Sequence, residues 1–146
     1  MKTIDGNEFD TEALKKSAVD YVKQGYNCVQ AVICAVGPEL GMDTDTASRA
    51  TLGFGGGMGT GTEACGAISG GIVVLGYANN KDADSPKGNA STYGLAKELV
   101  ERFDEKVGAT MCNEIKGVNC DHPMLRSCIG CVEDATEITV EMLKEM

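Results

Sequence analysis

Between Gly53 and Gly61 six of nine residues are glycine, and the stretch Ala64 to Tyr77 soon after it carries no charge at all. The first segment opens backbone conformations that a Cβ forbids, at nearly every step. The second is too apolar for a helix that shows one face to water, so it is expected to be buried. Thr62 is the expected N-cap of this helix, with Glu63 in a first turn where the dipole favours a carboxylate. Gly66, Gly70 and Gly71 would let neighbouring elements come close. The fold is therefore organised around a buried, glycine-rich central helix.

The remaining segments read as helices too. Asp10 or Thr11 caps a helix over Glu12 to Val22, on which Leu14, Ala18, Tyr21 and Val22 form an apolar stripe. Gly25 ends it. Asn27 caps a second helix, Cys28 to Val36, which Gly37-Pro38 stops. Asp43 starts a third, Thr44 to about Leu52. Beyond a polar loop, Asn79 to Asn89, a charged amphipathic helix runs from about Ala90 to Val107. A short turn near Met111 to Lys116, an irregular loop from Gly117 to Pro123 and a last helix from about Leu125 to Lys144 complete the chain. No segment alternates as a strand does. The expected fold class is all-α, a compact bundle of about six helices in one domain over residues 1–146.

Thirteen basic against twenty-two acidic residues give a net charge of −9. Nucleic acid and anionic membranes both demand a basic surface, so neither is an expected partner. No secretory signal is visible after Met1, and Ala64 to Ala78 is too short and too rich in glycine to span a bilayer. The chain reads as cytoplasmic. In that compartment thiols stay reduced, so seven cysteines, an odd number, are not a disulfide scaffold.

Cys65 is the most informative of the seven. At a helix N-terminus, free N–H groups and the dipole stabilise a thiolate. A glycine-rich backbone just before it can gather N–H groups into a nest for an anion or an anionic cluster, which makes Gly55, Gly56, Gly57, Gly59 and Gly61 candidate cofactor-binding residues. Cys34 is about 240° round the helix from Cys28 and falls among apolar neighbours, so it reads as core. Cys128 and Cys131 form a C-x-x-C on one helix face. Val132 follows where haem attachment needs histidine, and no lysine stands near the glycine loop for a nucleotide phosphate, so neither haem nor nucleotide is expected. Cys120 and His122, the single histidine, are further candidate ligands.

The element Cys65-Gly66-Ala67-Ile68-Ser69-Gly70, preceded by Gly55-Gly56-Gly57-Met58-Gly59, stands between Asn27-Cys28-Val29-Gln30-Ala31 upstream and Cys112-Asn113-Glu114-Ile115 and Cys128 downstream. Together these resemble the C_GCAxxG_C_C family of small proteins, taken to be redox-active from their cysteines. The resemblance implies that Cys28, Cys65, Cys112 and Cys128 are the family cysteines, with Cys34, Cys120 and Cys131 as additions; Cys131 competes with Cys128 for the fourth place. Three functions follow. The first is a metal or iron–sulfur centre for electron transfer, held by those four thiolates, with Cys131, Cys120 and His122 as further ligands. The second is thiol–disulfide exchange with Cys65 as nucleophile, acting on a redox partner protein, a small thiol or a peroxide. The third is a helical interaction module, a homodimer whose cysteines only pack.

Overall fold

The computed structural model describes residues 8–80 and 88–146. These form seven α-helices and no strand: α1 (Thr11–Lys23), α2 (Cys28–Val36), α3 (Thr44–Thr51), α4 (Gly66–Asn80), α5 (Asn89–Val107), α6 (Cys112–Lys116) and α7 (Cys128–Glu145). The fold is all-α, as the periodicity requires. Most of the expected polar loop after α4, residues 81–87, lies outside the described residues. No helix among those described is long and apolar enough to cross a membrane.

Local chemistry sets the helix starts. The Asp10 carboxylate accepts the Ala13 N–H at 3.1 Å and opens α1. Asn27 and Gln30 bond each other's backbone N–H reciprocally and open α2, while Asp43 accepts the Thr46 N–H and opens α3. Ser127 caps α7 through the Gly130 N–H at 3.0 Å. That places the start of α7 at Cys128, three residues later than the apolar pattern of Leu125 suggests, and makes Cys128 its first helical residue.

Helix α2 is the most enclosed, with every residue from Val29 to Val36 buried. It packs on α1, α3, α4 and α7, and α4 in turn packs on α5 and α7. Phe9, Ile33, Ile68, Leu75, Leu99, Phe103, Val140 and Leu143 fill the space between these helices. Helix α4 buries Gly66, Ala67, Ile68, Gly70, Gly71, Val74 and Leu75, while Ile72, Val73 and Gly76 to Asn80 are half-buried. Two of its glycines are there for contact. A Cβ at Gly70 would lie 2.8 Å from the Val29 carbonyl oxygen, and one at Gly71 would meet Thr139 Oγ1 on α7 at 2.5 Å.

Gly76, in the same helix, has nothing closer than Thr92 Cγ2 at 3.7 Å. The two glycines should therefore respond oppositely to alanine. Gly70→Ala is expected to lower stability by about 1–3 kcal/mol through overpacking. Gly76→Ala is expected to raise it by roughly 0.5–1 kcal/mol through helix propensity. Urea unfolding of the two variants measures both.

Candidate functional site

Five cysteines from four segments line a single open pocket of about 250 Å³: Cys28, Cys65, Cys112, Cys128 and Cys131. Val22, Tyr26, Ile115 and Val132 supply apolar wall, and Asn27, Gly56, Lys116 and Arg126 complete it.

Cys65 stands at the head of α4. Its carbonyl accepts the Ile68 and Ser69 N–H groups at 3.0 and 3.2 Å, so Cys65 itself occupies the capping position expected of Thr62. Thr62 instead bonds Thr60, through its N–H and its hydroxyl. The Cys65 sulfur takes the role that a capping oxygen plays elsewhere, accepting the N–H groups of Ala67 and Ile68. A short antiparallel bridge between Ala64 and Met111 fixes the entry. In it the Cys65 N–H donates to the Thr110 oxygen at 2.9 Å and the Cys112 N–H to the Glu63 oxygen at 2.8 Å. The same pair of bonds thus seats two pocket cysteines at once.

Cys28, the first residue of α2, lies against the first turn of α4. A Cβ at Gly66 would run into its sulfur. Its sulfur accepts the N–H of Gly56 and of Val29. The glycine loop reaches that position through a left-handed turn, with φ/ψ of 62°/43° at Gly56, 59°/35° at Met58 and 73°/−3° at Gly59. A residue with a Cβ costs about 1–2 kcal/mol in such a conformation, which Met58 bears. Of the five glycines proposed to bind a cofactor, Gly56 lines the pocket. Gly55 packs on Asn27 and Gly57 on Cys112, both too closely for a Cβ. Gly59 and Gly61 are exposed.

Cys128 is exposed at the start of α7, and Cys131 is buried one turn further on. The Gly130 between them leaves room for Arg126, whose Nε and Nη2 grip the buried Asp134 carboxylate at 3.0 and 3.2 Å. That two-point pairing, with Lys106 Nζ 3.8 Å away, compensates a carboxylate withdrawn from water. Lys116, at the end of α6, is bonded to Cys128 through its ammonium group, and this contact raises the lysine pKa.

The decisive contact is between two sulfurs. Cys131 donates its S–H to Cys65, which pulls the Cys65 thiol down to about 7 against the opposing effect of burial, with help from the Ala67 and Ile68 N–H groups and the charge of Lys116. Cys131 is pushed up by the same bond and by its own burial. Burial also raises Cys28 and Cys112. One thiolate, on Cys65, is therefore stabilised among protonated neighbours.

The chain that builds this pocket matches a family model described as "Putative redox-active protein (C_GCAxxG_C_C)" over residues 26–142. The chain belongs to the C_GCAxxG_C_C family. No curated protein and no solved structure matches it at a significant level. Cys131 lines the same pocket as Cys128. Cys34 is buried on α2 and bonded to Ser48. Neither Cys120 nor His122 lines the pocket: the Cys120 thiol donates to the Val118 oxygen at 3.3 Å, and His122 Nδ1 lies 2.9 Å from the Pro123 oxygen. Among the described residues, no three cysteine, histidine, aspartate or glutamate side chains are grouped so as to hold one metal ion. Sequence reasoning missed Lys116 and Arg126, which carry no motif, and the pairing of Cys65 with Cys131, which depends on how α7 crosses α4.

Of the exposed large apolar side chains among the described residues, Tyr26 lines the pocket, and Met111 and Ile129 are chain neighbours of the pocket residues Cys112 and Cys128.

Because the folded-state pKa of Cys65 is depressed, its thiolate dominates above about pH 7 and is lost as pH falls through that value. Alkylation of Cys65 by iodoacetamide, followed by mass spectrometry, should rise through pH 7 and level off above it. Cys131→Ala removes the donor and should move that midpoint up by about one pH unit or more.

Proposed function

We propose that this protein is a thiol–disulfide redox protein whose working pair is Cys65 and Cys131. The observation that carries this reading is the hydrogen bond from the Cys131 thiol to a Cys65 sulfur already stabilised by two backbone N–H groups. A thiolate of pKa near ambient pH is the best placed to attack a disulfide sulfur. A thiol in direct contact with it is the natural second member of the pair. Oxidation joins the Cys65 thiolate to the Cys131 sulfur, releasing one proton and two electrons; an acceptor disulfide takes these with a second proton from water and becomes two thiols. The acceptor or donor is a partner protein or a small disulfide that reaches the open pocket, whose wall includes the exposed Tyr26.

A second reading is favoured by the convergence of Cys28, Cys65, Cys112 and Cys128 from four segments on one pocket. These four thiolates would hold a polynuclear iron–sulfur cluster, and the cluster would supply one-electron transfer. The donor set suits a cluster better than a single zinc ion, which needs its ligands drawn round one point. Lys116 and the Gly56 N–H would offset part of the negative charge.

The two readings part on one preparation. Purified without oxygen, the protein should contain no stoichiometric iron or sulfide. Equilibrated in graded thiol–disulfide buffers, it should lose two thiols in a single step that Cys65→Ser or Cys131→Ser abolishes. Stoichiometric iron and sulfide, with no such step, would establish the cluster instead.

A further inference from the structure

Cys65 and Cys131 are both buried, at 7% and 3% exposure. A partner's sulfur must approach the attacked sulfur in line, and neither of these offers it that approach. The thiol of this cluster that lies open to solvent is Cys128, at the first turn of the 18-residue helix α7. It shares the pocket with both members of the pair. It also stands three residues before Cys131, on the same face of the helix. Lys116 is bonded to its sulfur.

We infer that Cys128 is the exchange port of the site: it forms the mixed disulfide with an outside disulfide and relays the oxidation through Cys131 to Cys65, with Lys116 as its positioning residue. This inference rests on the thiol–disulfide reading given above. The steps balance as follows. The Cys128 thiolate attacks one sulfur of the partner disulfide, and the other partner sulfur leaves as a thiolate. Cys131, giving up its proton, attacks Cys128 Sγ; the second partner thiolate leaves and a Cys128–Cys131 disulfide remains. The Cys65 thiolate attacks Cys131 Sγ, and Cys128 leaves as a thiolate. The net result is a Cys65–Cys131 disulfide and a partner disulfide reduced to two thiols.

Lys116 acts twice in this sequence, on the same sulfur. Its ammonium group stabilises the Cys128 thiolate when that sulfur attacks, and again when it departs. Cys128 and Lys116 are both exposed, so replacing either leaves the core untouched.

The probe is glutathione disulfide, added to the fully reduced chain, with quenching by acid and mapping of disulfides by mass spectrometry. In Cys131→Ala, glutathione should accumulate on Cys128, one per chain. In Cys128→Ser, the Cys65–Cys131 disulfide should form about 100-fold more slowly, because the buried pair must be reached directly, while its midpoint in thiol–disulfide buffers stays where it was. At one fixed pH, Lys116→Gln should slow glutathione capture at Cys128 and Lys116→Arg should restore it, with the Cys65–Cys131 midpoint unmoved in both. A purely structural lysine would leave that rate alone. If the Cys65–Cys131 disulfide forms as fast without Cys128, or if glutathione settles on Cys65 instead, the relay is wrong although the pair stands. If the unaltered chain never forms that disulfide, the pair and the relay fall together.

Discussion

The head of α4 has to come into contact with the head of α2, and glycine is what permits it. At Gly66 a Cβ would strike the Cys28 sulfur, and at Gly70 it would press on the Val29 carbonyl. With the two helices that close, the Cys28 sulfur and the Cys65 sulfur face one space, and the remaining walls follow. The loop before Cys65 must turn sharply left-handed to deliver the Gly56 N–H to Cys28. The bridge from Ala64 to Met111 then draws Cys112 in beside them. Helix α7 closes the pocket with Cys128 and Cys131.

Electrostatics decides which of these sulfurs carries charge. Burial opposes the thiolate at Cys28, Cys65, Cys112 and Cys131; at Cys28 and Cys112 it prevails, and at Cys131 the bond to Cys65 raises the thiol first and burial adds to it. At Cys65 the balance tips the other way because the donors come from the protein itself: the Cys131 thiol first, then two N–H groups at a helix head. Hydrogen bonds to a charged group are each worth about 1.5–3 kcal/mol. A few of them suffice to overcome a desolvation cost of similar size. The same contact that lowers one thiol raises its partner, so the pair is polarised toward one nucleophile and one proton donor. That division of labour suits disulfide formation between them.

Much of this was legible in the sequence, for physical reasons. Apolar periodicity and capping residues marked α1, α2, α3 and α5 closely, since Asp10, Asn27 and Asp43 act through contacts three residues away. The glycines before Cys65 announced a tight approach. The uncharged run after it read as a wholly buried central helix, whereas α2 is the more enclosed and Ile72, Val73 and Gly76 to Asn80 of α4 are half-buried. Cys34 read as core from its angle on α2. What escaped were features made by distant segments meeting. Thr62 has the chemistry of a cap, but the bridge to Met111 carries the chain past it and hands the position to a cysteine, which capping preferences do not rank. The start of α7 is set by Ser127 rather than by the apolar Leu125, and this shift of three residues puts Cys128 at the exposed end and Cys131 inside. Lys116 and Arg126 belong to no motif. Their place at the pocket is a product of α6 and of the loop leading into α7.

The central claim is that Cys65 and Cys131 form one redox pair. The most direct measurement oxidises the reduced protein with one equivalent of a disulfide oxidant, blocks the remaining thiols, and maps the cross-linked peptides by mass spectrometry. This account predicts a single dominant intramolecular disulfide joining Cys65 to Cys131, with Cys28, Cys34 and Cys112 recovered as blocked thiols. A protein that resists oxidation, or one in which Cys65 remains a free thiol while other cysteines pair, would contradict it.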